Sequence, residues 1–175
     1  MNQKNWEKAV AFHGHECPGL AIGVRACEAA IEKMGIGKSD DEEIVCVSEN
    51  DACGVDAVQA LLSCTMGKGN LIYRGTGKMA FSFFERKSGK KLRVCMKPGQ
   101  NKDEDRKKRQ AFILNAPLDE VFTFSEPAFE LPKKAKIFNT VICQKCGEGV
   151  PEHKIHLQDG KFVCDDCFVS YNRGW

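Results

Sequence analysis

Two groups of side chains in this chain have the types and the spacing to bind metal. Near the C-terminus Cys143-Gln144-Lys145-Cys146 and Cys164-Asp165-Asp166-Cys167 form a C-x2-C-x17-C-x2-C pattern. Each pair sets two sulfurs on one side of a tight turn, and two such turns converge on one tetrahedral ion, for which zinc is expected. Gly147 after the first pair can supply the positive φ that such turns need. Asp159-Gly160 between the pairs is a hairpin signal. The competing use of these cysteines is a redox dithiol pair. His153 and His156 could replace a sulfur, yet four thiolates already complete a structural site, which leaves both histidines to the surface. A closed four-thiolate site has no open coordination position, so this module binds partners or shapes the fold, and any catalysis lies elsewhere.

The second group is Phe12-His13-Gly14-His15-Glu16-Cys17-Pro18-Gly19. Proline disfavours the α region for Cys17; if that extension reaches back, His13, His15 and Cys17 share one face. Pro18 suits the first position of a helix, which makes Cys17 its N-cap, where unpaired N–H groups and the helix dipole favour a thiolate. Asn50-Asp51-Ala52-Cys53-Gly54 sets Cys53 before a second helix in the same manner. Were the two loops to meet, His15, Cys17 and Cys53 would form a three-ligand site for a second divalent metal, with the open fourth position that catalysis requires. The alternative is that His13 or His15 satisfies a backbone group and Cys53 fills a turn. Lys68, in Gly67-Lys68-Gly69, is a candidate contact for an anionic group, although the longer phosphate-loop pattern is missing. The catalytic candidates are therefore Cys17, His15, Cys53 and Lys68. Asp51 and Asp56 could orient an imidazole or an ammonium group, or cap the second helix. Arg25 pairs with Glu28 at the surface or with a carboxylate near the site. Cys64 lies on the helical line of Ala57 and Leu61, and Cys27, Cys46 and Cys95 fall within periodic elements, so all four are read as core.

The elements that must position these groups follow from periodicity. Leu20, Val24, Cys27, Ile31 and Met34 recur at helical spacing over 18–34, with Gly35 at the C′ position. Gly19, Gly23, Ala26 and Ala30 on another face would let a neighbouring backbone come close. Residues 43–49 read as a strand, 55–66 as a helix, 71–74 as a strand, and 78–86 with 90–96 as a hairpin about Lys87-Ser88-Gly89. Residues 103–115 look helical and 121–124 extended; the charged block from Gln100 to Gln110 reads as solvated surface. Late adjacent strands favour a mixed α+β core over strict alternation. The core domain is expected over 1–138 and the four-cysteine zinc ribbon over 139–175, a piece too short to bury a core without metal.

Composition sets the outer limits. The chain has 175 residues, and 26 Lys and Arg against 24 Asp and Glu leave a net charge of +2, which argues against a broad nucleic-acid surface. The apolar runs fall well short of the ~20 residues that cross a bilayer and no export signal is visible, so a cytoplasmic protein with reduced thiols and no membrane partner is expected.

Phe12-His13-Gly14-His15-Glu16-Cys17-Pro18-Gly19-Leu20, with Gly23 and Arg25, resembles the opening of the FmdE family, named for formylmethanofuran dehydrogenase. Glu49-Asn50-Asp51-Ala52-Cys53-Gly54-Val55-Asp56-Ala57 and Cys64-Thr65-Met66-Gly67-Lys68-Gly69-Asn70-Leu71 resemble its second and third motifs, in order, and many members carry a terminal zinc ribbon. The resemblance spans essentially the whole chain. It implies an α+β core, a homodimer, a metal or active-site cleft built from the motifs, and a setting in anaerobes linked to methanogenesis. By resemblance His15, Cys17 and Cys53 lead, with His13, Cys64 and Lys68 behind them. The association by name is with a molybdenum or tungsten enzyme, but this chain lacks a ferredoxin-type cysteine run. The resulting reading is a metal-binding protein whose core site supports one-carbon or carbonyl chemistry, as a metal-dependent enzyme or an accessory component acting on a small one-carbon or anionic substrate. A rival chemistry is nucleophilic attack by Cys17 with His13 or His15 as base. The non-catalytic alternative is an adaptor that docks through the ribbon on a metalloenzyme or on nucleic acid.

Overall fold

Asn2 opens helix α1 (Gln3–His13), its side chain accepting the N–H groups of Lys4 and Asn5 at 3.0 and 3.3 Å. Trp6 and Ala9 are its buried stripe, and Gly14, at φ +91°, ends it. The structure, a computed structural model, describes residues 1–99 and 105–174. Helix α2 (Pro18–Met34) keeps the bounds its periodicity predicts, with Gly35 in the left-handed conformation at its end. The chain then alternates once, through strand β1 (Ile44–Ser48), helix α3 (Gly54–Leu62) and strand β2 (Leu71–Tyr73), and continues as the hairpin β3 (Ala80–Glu85) and β4 (Lys91–Met96). Helices α4 (Arg106–Asn115) and α5 (Leu118–Val121) precede strand β5 (Phe122–Ser125). The expected helix start at Asp103 and the first part of the charged block, 100–104, lie outside the described residues. The described part of α4 is capped by Asp105, which accepts the Lys107 N–H at 3.1 Å.

Helix α3 stops four residues before its predicted end. Ser63 takes φ +55°, and the Asn70 amide draws the following segment back by donating to the carbonyls of Asp41 and Ile44 at 3.0 and 2.9 Å. A buried side-chain amide with several backbone acceptors competes well with one further helical turn.

The five strands form one sheet in the order β2-β1-β3-β4-β5. β1 and β2 are parallel and every other pair is antiparallel, so the core is α+β with a single βαβ crossover. Strand β1, an interior strand second from the edge, is buried on both faces. Ile44 and Cys46 join the main core under the helices, while Val45 and Val47 pack with Phe84, Phe129 and Leu131 on the other side. α2 lies at the middle of the helical layer, in contact with α1, α3 and α4.

The chain divides into two compact units, Met1–Ala135 and Lys136–Trp175. In the second, β6 (Thr140–Ile142) pairs with β7 (Gly149–Pro151) and β8 (Ile155–Gln158) with β9 (Lys161–Cys164). Asp159 and Gly160 turn the second pair with φ of +50° and +75°, the conformation that a two-residue hairpin loop demands. Among the described residues no helix is long and apolar enough to cross a membrane.

Candidate metal centre

Three helix ends meet at the head of the helical layer. His13 is the last residue of α1, Cys17 is the N-cap of α2 in extended conformation (φ −157°), and Cys53 is the N-cap of α3. Their meeting depends on two glycines. A Cβ on Gly23 would lie 2.2 Å from the Gly54 carbonyl oxygen, so α2 and α3 touch backbone to backbone there. One turn earlier, a Cβ on Gly19 would fall 3.2 Å from the Cys53 Cβ and 3.8 Å from the Cys17 sulfur. The small-residue face of α2 thus brings the two cysteines together.

His13, Cys17 and Cys53 each offer a ligand atom within 4.8 Å of the others. Cys17 Sγ accepts the Leu20 N–H at 3.3 Å, the capping bond its position predicts. His13 Nδ1 pairs with Asp56 Oδ2 at 2.7 Å, while its Nε2 lies 3.8 Å from Cys17 Sγ. Asp56 is itself fixed by Gln59, which donates to Oδ1 at 3.2 Å. Metal-ligating imidazoles commonly donate their second N–H to a carboxylate, which settles tautomer and ring orientation together. Burial pushes the Cys53 thiol up, and the adjacent Cys17 sulfur adds to the rise; a cation between two sulfurs reverses that repulsion. One imidazole and two thiolates fit zinc, and three protein ligands leave its fourth position open.

The grouping differs from the expected one at one member: among the described residues His13, not His15, lies with the two cysteines. An extended line from Cys17 back to His13 is interrupted at Gly14, whose positive φ ends a helix, so His13 reaches the sulfurs from α1 instead. His15 is exposed, its ring 4.4 Å from that of His13, and it faces a separate groove with Glu16, Asp105 and Gln110. Lys68 is likewise placed elsewhere: its Nζ donates to the carbonyls of Ser39 and Asp40 at 2.9 and 3.3 Å. Cys64 is buried, donates to the Ile44 carbonyl at 3.6 Å, and is pushed up to about 12 by burial. Arg25 is buried as well; it pairs with Glu28 at 2.7 Å and binds the carbonyls of Ile113 and Ala116. A cleft of about 530 Å3 opens beside the group, lined by His13 and Cys53 together with Asn50, Asp51, Val55, Met66, Leu71 and Tyr73. Met66 and Tyr73 escaped sequence reasoning, because their exposure at a cavity mouth leaves no periodic signal.

In the second unit the sulfurs of Cys143, Cys146, Cys164 and Cys167 also lie within 4.8 Å of one another. Gly147, at φ +80°, closes the first knuckle by donating to the Cys143 carbonyl at 2.8 Å. Backbone N–H groups, chiefly that of Cys146, lower the Cys143 thiol to about 6, whereas burial and the neighbouring sulfurs push Cys167 up to about 12. The histidines stand aside: His153 lies against Phe138 with the rings tilted and their centroids 4.0 Å apart, and His156 pairs with Asp165 at 2.5 Å. Four thiols at these separations suit a tetrahedral zinc ion.

An α+β core with sulfur and imidazole at its helix ends, joined to a four-cysteine module, defines a class of metal-binding protein. Residues 12–123 match the family described as FmdE, molybdenum formylmethanofuran dehydrogenase operon. The chain belongs to this FmdE family, and its residues 136–173 match the prokaryotic dksA/traR C4-type zinc finger. It is 30% identical over 196 residues to a probable S-adenosyl-L-methionine-binding protein of Archaeoglobus fulgidus, an alignment covering 94% of this chain and 52% of that protein. The chain thus spans about half the length of this curated relative. The fold is shared with the crystal structure of a tungsten formylmethanofuran dehydrogenase FmdE-like protein from Syntrophus aciditrophicus. That match has a TM-score of 0.67 at 22% identity and covers 94% of this chain and 90% of the other.

Proposed function

We propose that this FmdE-family protein holds a divalent ion, zinc, at His13, Cys17 and Cys53 and uses the cleft beside them for carbonyl or one-carbon chemistry. The observation that carries the reading is the 2.7 Å pairing of Asp56 with His13 Nδ1, which reserves Nε2 for the side of the sulfurs. When bound, an ion with three protein ligands supplies a Lewis acid for a carbonyl or a water. The chain's own residues do the rest. Asp56 keeps the imidazole in one tautomer, the Leu20 N–H steadies the Cys17 sulfur, and Val55 and Leu71 offer a ligand apolar contact. In this reading the ribbon ion is structural, and the protein works as a homodimer, which its mass in solution tests.

The test is zinc content per chain by mass spectrometry. Two ions are expected in the wild type and one in Cys17→Ala or Cys53→Ala, with the ribbon ion retained. One ion in the wild type, unchanged by Cys17→Ala, would overturn the reading. Alkylation separates the nucleophile alternative, because a bound ion protects Cys17 and a free nucleophile reacts.

A second reading, a non-catalytic adaptor, is favoured by the exposed Ile142, Leu157, Phe162 and Tyr171 of the C-terminal unit. It predicts that Cys53→Ala leaves binding to a metalloenzyme partner intact. A nucleic-acid partner would instead show affinity that drops steeply with salt.

A further inference from the structure

The cleft beside Cys53 carries a charge pattern that the metal reading does not use. Most of its polar groups are already spent within the fold. Ser48 Oγ donates to the Asn50 carbonyl, Asn50 bridges Lys78, Ala80 and Ala52, and Asp56 holds His13 and Gln59. Asp51 differs: it is exposed, and among the described residues it makes no side-chain hydrogen bond or ion pair. Tyr73, 54% exposed, lines the same cleft as Met66.

No lysine or arginine is among the described residues that line this cleft. Of the nearby cations three are committed elsewhere, and Lys78 acts on Glu49, whose carboxyl it helps to lower. Lys68 is bound to the Ser39 and Asp40 carbonyls, Arg74 lies 4.5 Å over the Phe129 ring, and Arg93 pairs with Glu49 at 2.6 Å. A dication neutralised by two thiolates adds no net charge, so Asp51 and Asp56 leave the cleft negative even when it is loaded. Away from the ion's open position an anionic ligand would meet no cationic side chain among these lining residues, which removes the role that sequence reasoning gave to Lys68.

We infer that the cleft selects a small organic cation, an alkylammonium or a sulfonium, whose charge is met by the Asp51 carboxylate and the Tyr73 ring and whose apolar part lies along Val55, Met66 and Leu71. A carboxylate and an aromatic face are the two groups that recognise such onium charges. The charge sum at the ligand end of the cleft rests on the proposed ion; the contribution of Asp51 and Tyr73 does not.

The probes are choline and its dimethylsulfonium analogue, with 3,3-dimethylbutan-1-ol as the neutral isostere and 3,3-dimethylbutanoate as the anion. Binding is read by titration of the Tyr73 ring resonances in the full chain, and zinc content is measured on the same samples. Both onium probes should bind about tenfold more tightly than the neutral isostere, the scale that one exposed ion pair and one ring face supply. The carboxylate, which finds only the ion's open position, should bind no more tightly to the wild type than to Asp51→Asn, and that substitution should bring cation and neutral isostere within about threefold of each other while zinc content stays the same. If one onium class binds and the other does not, that class is the ligand. Equal binding of cation and isostere, an onium preference left unchanged by Asp51→Asn, or no onium binding at about 20 mM would overturn the inference. Zinc content reports separately on the metal reading: a wild type with one ion and a retained onium preference would remove the metal and keep the cation site.

Discussion

Gly23→Ala should damage the core centre without touching any of its ligands. The added Cβ would sit 2.2 Å from the Gly54 carbonyl oxygen and 2.5 Å from its Cα, and both obstacles are backbone. No rotamer change relieves such a contact, so α2 and α3 must part by roughly 1 Å to reach ordinary van der Waals distance. Overpacking costs about 1–3 kcal/mol, and a clash with backbone belongs at the upper end of that range. Because Cys17 begins α2 and Cys53 begins α3, the same movement draws the two sulfurs apart. Urea unfolding at pH 7 should therefore show a loss of about 3 kcal/mol, with zinc content falling to the ribbon ion alone. Gly19→Ala is the graded comparison. Its Cβ would lie 3.2 Å from Cys53 Cβ and 3.5 Å from Cys53 Sγ, a side-chain contact that can give way, so it should cost about 1 kcal/mol and weaken the core ion more than the fold. Retention of both ions by Gly23→Ala, with stability within about 0.5 kcal/mol of wild type, would refute the reasoning.

Removing the carboxylate in Asp56→Ala should lower core zinc affinity by about 10- to 100-fold, measured by chelator competition, and leave the ribbon ion unchanged. The Arg93 guanidinium, donating to Glu49 at 2.6 and 3.1 Å, holds the Glu49 carboxyl below its ordinary value. The stabilisation from this pair is thus complete above the unfolded value of about 4.3 and is lost as pH falls through the folded one. Glu49→Gln should cost about 2 kcal/mol at pH 7 and flatten the acid limb of the stability curve, as urea midpoints at several pH values will show. Burial raises the thiols of Cys27, Cys46 and Cys64, the last to about 12; at pH 8 they should resist alkylation in the native protein and react once urea unfolds it.

The legible parts of this chain were those where one residue type fixes one conformation. Pro18 predicted the extended Cys17 and the start of α2, the cysteine spacing predicted the ribbon group, and Asp159-Gly160 predicted the β8–β9 turn. Helix α1 was missed because it buries just two residues deeply, Trp6 and Ala9, too few to stand out as a stripe. A usable signal was present: Asn2 as a cap, Trp6, Ala9 and Val10 at helical spacing, and Gly14 as a stop. Missing that helix is what put His15 in the place of His13. The fate of Lys68 could not be read, since its partners are backbone carbonyls 28 and 29 residues earlier. The choice between Asp51 and Asp56 as the imidazole's partner needed the turn of α3, which sets residue 56 against His13.

Three helices ending at one point give the core centre a thermodynamic consequence by mass action. An ion that needs all three termini in place binds the native chain and hardly at all its unfolded form, so free zinc at a hundredfold excess over Kd would add about 2.7 kcal/mol to the resistance of the whole layer to unfolding. The lifetime of the protein against proteolysis would then follow the metal supply of its surroundings, and depletion would be felt first where α1, α2 and α3 come together.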